Sequence, residues 1–125
     1  MAKPPDPFHE FVIELLAPLG TVSIRRMFGG AGVFREGLMI ALLFNETIYL
    51  KTNAALRADL ESEGGEAFLW TKPSTGEIID MAYVSLPSSA MDDPDEASAW
   101  ARRALSVAKA KAAAKPAPRK KKPPG

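Results

Sequence analysis

His9 is the only histidine in the sequence, and no cysteine accompanies it. A nucleophile–histidine pair, or a metal held by imidazole and thiolate, needs several such side chains converging on one point. A single imidazole in the first turn of an N-terminal helix reads as an ordinary surface residue. The lack of cysteine removes disulfide frameworks, thiolate metal sites and cysteine nucleophiles together, in keeping with a reducing compartment. Two groups of carboxylates remain. Asp92, Asp93, Asp95 and Glu96 surround a proline at a helix start, where acids complement the positive end of the helix dipole. Glu61 and Glu63 fall on the solvent face of another helix. Nothing sets the pKa values of either group apart, as acid–base catalysis by a carboxylate pair requires. The expectation is a chain with no catalytic residue, no metal ligand and no cofactor.

The run Gly29-Gly30-Ala31-Gly32 raises the question of a phosphate-cradling loop. Such loops need Gly-Lys-Ser/Thr, or spaced glycines after a strand, and both open a helix. Here the glycines lead into Val33-Phe34-Arg35, which reads as a strand. A bulge or a tight backbone approach between strands is the reading that fits. Just upstream, Arg25 and Arg26 precede Met27 and Phe28. A double arginine beside large apolar side chains is a candidate anchor for a protein partner or nucleic acid. Strand alternation sends only one of the two arginines to a given face, leaving the other free to pair with an acid such as Glu14. Arg25, Arg26, Met27 and Phe28 are therefore the candidate partner-binding segment.

Charge is divided sharply along the chain. Through Ala108 there are nine basic and fifteen acidic residues, a formal charge of −6; from Lys109 onward there are seven basic residues and no acid, or +7. An acidic body repels nucleic acid, whereas a basic tail attracts polyanions through counterion release, without reading their sequence. Lys115, Arg119, Lys120, Lys121 and Lys122 are the candidate nucleic-acid contacts. No helix-turn-helix, RNA-binding sheet signature or zinc-finger spacing accompanies them.

These side chains are positioned by elements that the residue pattern predicts. Asp6-Pro7 starts a helix as cap and first residue, and Phe8, Phe11, Val12, Leu15, Leu16 and Leu19 give it one apolar stripe before Pro18 and Gly20 end it. Val22, Ile24 and Met27-Phe28 form an extended lead-in to the strand at Val33. Glu36-Gly37 and Asn45-Glu46 turn the chain into Leu38–Phe44 and Thr47–Lys51, an antiparallel meander of three strands. Leu38–Phe44 is apolar on both faces, as suits a central strand covered by helices on at least one side. Asn53 caps a second helix with Leu56 and Leu60 on one face, stopped by Gly64-Gly65. Ala67–Thr71 and Ile78–Leu86 form a second hairpin. Asp93-Pro94 opens a third helix, in which Ala97, Trp100, Ala101, Ala104, Leu105 and Ala108 face inward. The composition beyond Ala108 changes to Lys, Ala and Pro and predicts a disordered basic tail over 109–125, with order lost from about Lys115. Residues 1–108 are then the folded domain. The N-terminus has no apolar segment of a signal peptide, and the longest apolar run, Leu38–Phe44, is far too short to span a bilayer. A soluble cytoplasmic protein is expected, with no membrane partner.

Taken together, Arg25-Arg26-Met27-Phe28-Gly29-Gly30-Ala31-Gly32-Val33-Phe34 resembles the signature of the N-terminal domain of the TfoX/Sxy family. The resemblance extends through Gly37–Leu42, Ile48–Lys51, Met81-Ala82-Tyr83, and from Asp92-Asp93-Pro94 to Trp100-Ala101, covering Phe8 to Ala108. It implies an α+β fold, a two-layer α/β sandwich ordered α-β(3)-α-β(2)-α with an antiparallel five-stranded sheet, similar to secretion chaperones. The family comprises bacterial regulators of natural competence that act with the cyclic-AMP receptor protein at promoters. Its full-length members carry a second, C-terminal domain; here a Lys/Pro tail stands in its place, as in a single-domain member. The resemblance brings no catalytic or ligand residue. The expected function is a non-enzymatic regulatory module acting on a protein partner such as a transcription factor, as a monomer or homodimer. The alternative is nonspecific nucleic-acid binding through the basic tail.

Overall fold

The computed structural model describes residues 6–27 and 29–114. Helix α1 (Pro7–Leu15) begins where the Asp6 carboxylate accepts the Phe8 N–H at 2.9 Å. This bond holds the Asp6 carboxyl below the usual aspartate range. Pro18 has no N–H to continue the ladder, so the chain tightens into a 3-10 turn at Ala17–Leu19. Val12, Leu15 and Leu16 are buried, whereas Phe11 lies outside the core.

Six strands follow: β1 (Ser23–Met27), β2 (Gly30–Arg35), β3 (Leu38–Phe44), β4 (Thr47–Lys51), β5 (Ala67–Thr71) and β6 (Ile78–Ser85). They form one antiparallel sheet in the order β1-β2-β3-β4-β6-β5. The expected five-stranded sheet is corrected to six. The segment read as a lead-in is itself a strand, pairing with β2 from Ser23 opposite Phe34 to Met27 opposite Gly30. Gly29, at φ 79°, lies at the reversal between them, a conformation that glycine adopts without penalty.

One sheet face carries the core. Ala31, Val33, Ala41, Leu43, Ile48, Leu50 and Val84 are buried on it and follow one another through the strand registers. A bulge in the β2–β3 pairing adds Ile40, which is also buried. Helix α2 (Ala54–Ser62) is capped by Asn53, whose side chain accepts from Leu56 N–H at 2.8 Å. It ends at Gly64 (φ 96°), with Gly65 N–H returning to the Leu60 carbonyl at 2.8 Å.

Helix α3 (Pro94–Ala114) packs across β3 and β4. Asp93 accepts from the N–H groups of Asp95 and Glu96, each at 3.1 Å. Ala97, Ala101 and Ala104 are wholly buried, and their small side chains let the helix lie close to the sheet. Trp100 sits at the rim instead of inside, its indole N–H reaching Glu96 at 3.4 Å and Arg103 lying over its ring. The boundary expected after Ala108 also moves. Lys109–Ala114 continues α3 as helix, because lysine and alanine are good helix formers and no proline intervenes. The disorder expected from Lys115 lies outside the described residues. Among the described residues no helix is long and apolar enough to cross a membrane.

Candidate functional site

The double arginine divides as strand alternation requires. Arg25 pairs with Gly32 on the face away from the helices, and Arg26 pairs with Ala31, whose side chain is in the core layer. Arg26 therefore leans over the sheet edge toward α1, where its guanidinium is 3.9 Å from the Asp6 carboxylate. Its acid is Asp6, in place of the expected Glu14. Both side chains are partly exposed, so this pair contributes little stability. Arg25 lies over the Phe34 ring, 5.3 Å from its centroid, in a cation–π contact. Met27 shares the Arg25 face, and Phe28 lies outside the described residues. The sequence segment thus splits into two environments.

The Arg25 face is built around a glycine. A Cβ on Gly32 would meet Met27 Cε at 3.0 Å, Phe34 Cε1 at 3.0 Å and Met39 Sδ at 3.1 Å, so these three side chains close over it. Registers then carry the same face across Leu42 to Tyr49 and across Phe44 to Thr47. Phe68 from β5 completes it, with its ring centroid 4.9 Å from Tyr49 and 5.4 Å from Phe44. Tyr83 lies opposite Lys51 on this surface, and burial raises its phenol pKa above the usual value. All of these apolar side chains are half-buried. The result is a band of thioether and aromatic groups on the sheet's second face, with Arg25 near one end.

Sequence reasoning found Arg25 and Met27 but missed Phe34, Met39, Leu42, Phe44, Tyr49 and Phe68 as their neighbours. A signal was available: Leu38–Phe44 is apolar at both alternating sets of positions, while helices cover only one. What periodicity could not supply is that the β5 aromatic Phe68 joins Phe44 and Tyr49, residues of strands not adjacent to β5.

On the helix side, the glycine turn borders a cleft of about 220 Å³ lined in part by Asp6, His9, Arg26, Gly29 and Glu46. His9 Nε2 is 3.7 Å from the Asp6 carboxylate and is half-buried. A Cβ on Gly30 would collide with the Leu43 carbonyl oxygen, so this glycine admits a neighbouring backbone. That is the close strand approach expected of the motif, and the pairing bulge falls further along, between Val33 and Phe34. No group of three or more His, Cys, Asp or Glu among the described residues could hold a metal ion. The tail candidates Lys115, Arg119, Lys120, Lys121 and Lys122 lie outside the described residues.

A second polar constellation fastens the distal hairpin. Ala82 takes a left-handed φ of 61°, and its carbonyl accepts from Thr52 Oγ1 at 2.7 Å and Thr52 N–H at 3.0 Å. The Asp80 carboxylate accepts from Ala82 N–H at 2.9 Å and meets Arg57 of α2 at 2.8 Å. The Arg57 contact, followed by the Ala82 N–H, holds the Asp80 carboxyl below the usual aspartate range. These contacts tie β6 to α2 and to Thr52 at the end of β4, beside the register shift in the β5–β6 pairing; they are architectural.

Comparison with curated proteins gives no match. The family model described as the TfoX N-terminal domain matches residues 14–108, from α1 through most of α3, and the chain belongs to that family.

Proposed function

We propose that this chain is a non-enzymatic, cytoplasmic regulatory module that acts through protein–protein contacts. Its partner class is a transcription regulator, as the family's role in competence suggests. The observation that supports this reading is the second sheet face, where Met27, Phe34, Met39, Leu42, Phe44, Tyr49 and Phe68 form one half-buried band. Thioethers and aromatic rings adapt to a partner's shape and release apolar surface from water on contact. Arg25 at the end of the band suits an acidic side chain at the rim of such an interface.

The test is site-specific photo-crosslinking in native cells, with the reactive group at Met39 on the band or at Arg102 on α3. Partners should be captured from Met39 and lost on Arg25→Ala/Phe34→Ala, while Arg26→Ala leaves capture intact. Equal capture from the two positions, or insensitivity to Arg25→Ala/Phe34→Ala, would refute this surface.

The basic run from Lys109 favours a second reading, nonspecific nucleic-acid association. Binding of this kind falls steeply with salt, because each phosphate contact releases counterions. It should vanish on removing residues 109–125. Salt-insensitive binding, or binding that survives the truncation, counts against it.

A further inference from the structure

β5 is the last strand of the sheet, and its outer edge pairs with no other strand among the described residues. Its five residues, Ala67-Phe68-Leu69-Trp70-Thr71, carry no charge and no proline. Leu69 is 56% exposed and Trp70 38% exposed. The opposite edge of the sheet, β1, differs: it carries Arg25 and Arg26, charges of the kind that discourage strand addition. One edge is guarded and the other is open.

The hydrogen bonds to β6 fix which backbone groups the open edge presents. Lys72 N–H donates to Glu77 at 2.7 Å, and the Glu66 carbonyl accepts from Ser85 N–H at 2.9 Å. Residues 66 and 72 therefore turn their polar groups inward. Strand alternation turns those of Ala67, Leu69 and Thr71 outward. The charges lie symmetrically about the middle of this array, with Glu66 three residues before Leu69 and Lys72 three residues after it.

From this symmetry we infer that β5 is a homotypic docking edge, whose partner is β5 of a second copy in antiparallel register centred on Leu69. In that register Leu69 lies opposite its own counterpart, Ala67 opposite Thr71, Phe68 opposite Trp70, and Glu66 opposite Lys72. Leu69, Ala67 and Thr71 then exchange the outward N–H and C=O groups. The Phe68–Trp70 and Glu66–Lys72 pairs fall at the non-hydrogen-bonded sites, where facing side chains come closest. The two-fold axis repeats each pair, so one strand supplies both complementary halves. The two six-stranded sheets join into one, and the exposed Leu69 side chains meet at the axis. The seam meets the protein-partner surface proposed above at Phe68 alone, and its backbone pairing does not require a partner on that surface. A seam of two short strands is smaller than the roughly 1,200 Å² typical of stable complexes, so the dimer is weak and reversible.

Sedimentation velocity from micromolar to millimolar protein tests the inference, with circular dichroism confirming that each variant is folded. Wild type should pass from monomer to dimer across this range. Glu66→Lys and Lys72→Glu each replace two attractive pairs by two repulsive ones and should weaken dimerisation about tenfold or more. An equimolar mixture of the two variants should recover it, because opposite charges again face each other in the mixed dimer. Leu69→Lys, which brings two lysines together at the axis, should abolish it. A wild type that remains monomeric throughout, or a dimer indifferent to Leu69→Lys, or no recovery in the mixture, would overturn the assignment.

Discussion

Gly30 and Gly32 are two residues apart in one strand, yet alanine should have very different consequences at the two positions. Neither has a positive φ, so backbone strain does not separate them. At Gly30 the new Cβ would collide with the Leu43 carbonyl oxygen. That carbonyl belongs to the central strand β3, paired on both sides, and the Leu43 side chain is locked in the core. The backbone has nowhere to go, and overpacking of this kind costs about 2–3 kcal/mol. At Gly32 the contacts, at 3.0–3.1 Å, are the ends of Met27, Phe34 and Met39 on the half-open face. These can rotate aside, and losing a glycine lowers unfolded-state entropy in partial compensation, by roughly 0.4–1 kcal/mol. The net cost of Gly32→Ala should stay below about 1 kcal/mol on that account. For a domain of this size each kcal/mol moves Tm by about 4–8 °C, so Gly30→Ala should lower it by roughly 10 °C or more. Thermal and urea unfolding followed through Trp70 and Trp100 fluorescence would measure both variants. Equal shifts, or a neutral Gly30→Ala, would refute the argument that the first glycine admits a backbone and the second only mobile side chains.

Asp80 makes the anchoring of the distal hairpin sensitive to acid. Its folded pKa lies below the ordinary value, so its stabilising effect is complete above the unfolded pKa and disappears as pH falls through the folded one. Protection factors of the β6 amides, exchange rates taken relative to the unfolded chain at the same pH, should therefore fall toward low pH, and Asp80→Asn should flatten that dependence; an identical profile in the variant would remove Asp80 from the explanation. Asn53→Ala, which deletes the α2 cap, should destabilise by about 1 kcal/mol in urea unfolding, whereas Asn53→Ser should retain most of the stability. Ala104→Leu should cost about 1–3 kcal/mol, because a larger side chain there pushes α3 off the sheet; a neutral result would mean that the helix is not closely seated.

Much of this architecture is legible wherever the determinant is local. Asp6-Pro7, Asn53 and Asp93 announced three helix starts because capping involves only neighbouring residues. The turns at Glu36-Gly37 and Asn45-Glu46 likewise fixed two of the hairpins. β1 was harder to read. Its exposed Ser23, Arg25 and Arg26 give it no apolar period, and it becomes a strand by pairing with β2. Spacing alone puts Trp100 inside, but a large indole among alanines is easier to seat at the rim, where its N–H can reach Glu96. The apolar stripe of α3 stops at Ala108, while helix propensity carries the helix on through Ala114.

The functional surfaces were less legible for a different reason. A residue's place in the band depends on the face to which it belongs, and register settles that over long sequence separations. Phe68 reaches Phe44 and Tyr49 only because β6 pairs with both β4 and β5 and so brings β5 within one strand of β4. The Thr52–Ala82 contact that helps anchor the hairpin spans thirty positions. The open edge adds a further requirement, since alternation alone leaves two choices of which backbone groups point outward. Only the bonds from Lys72 to Glu77 and from Ser85 to Glu66 turn Leu69 outward. Had the alternation been offset by one residue, Leu69 would present no hydrogen-bonding groups at the axis, and the symmetry of Glu66 and Lys72 about it would have no use. The sequence already contains the symmetric charges; the β5–β6 register is what makes them complementary.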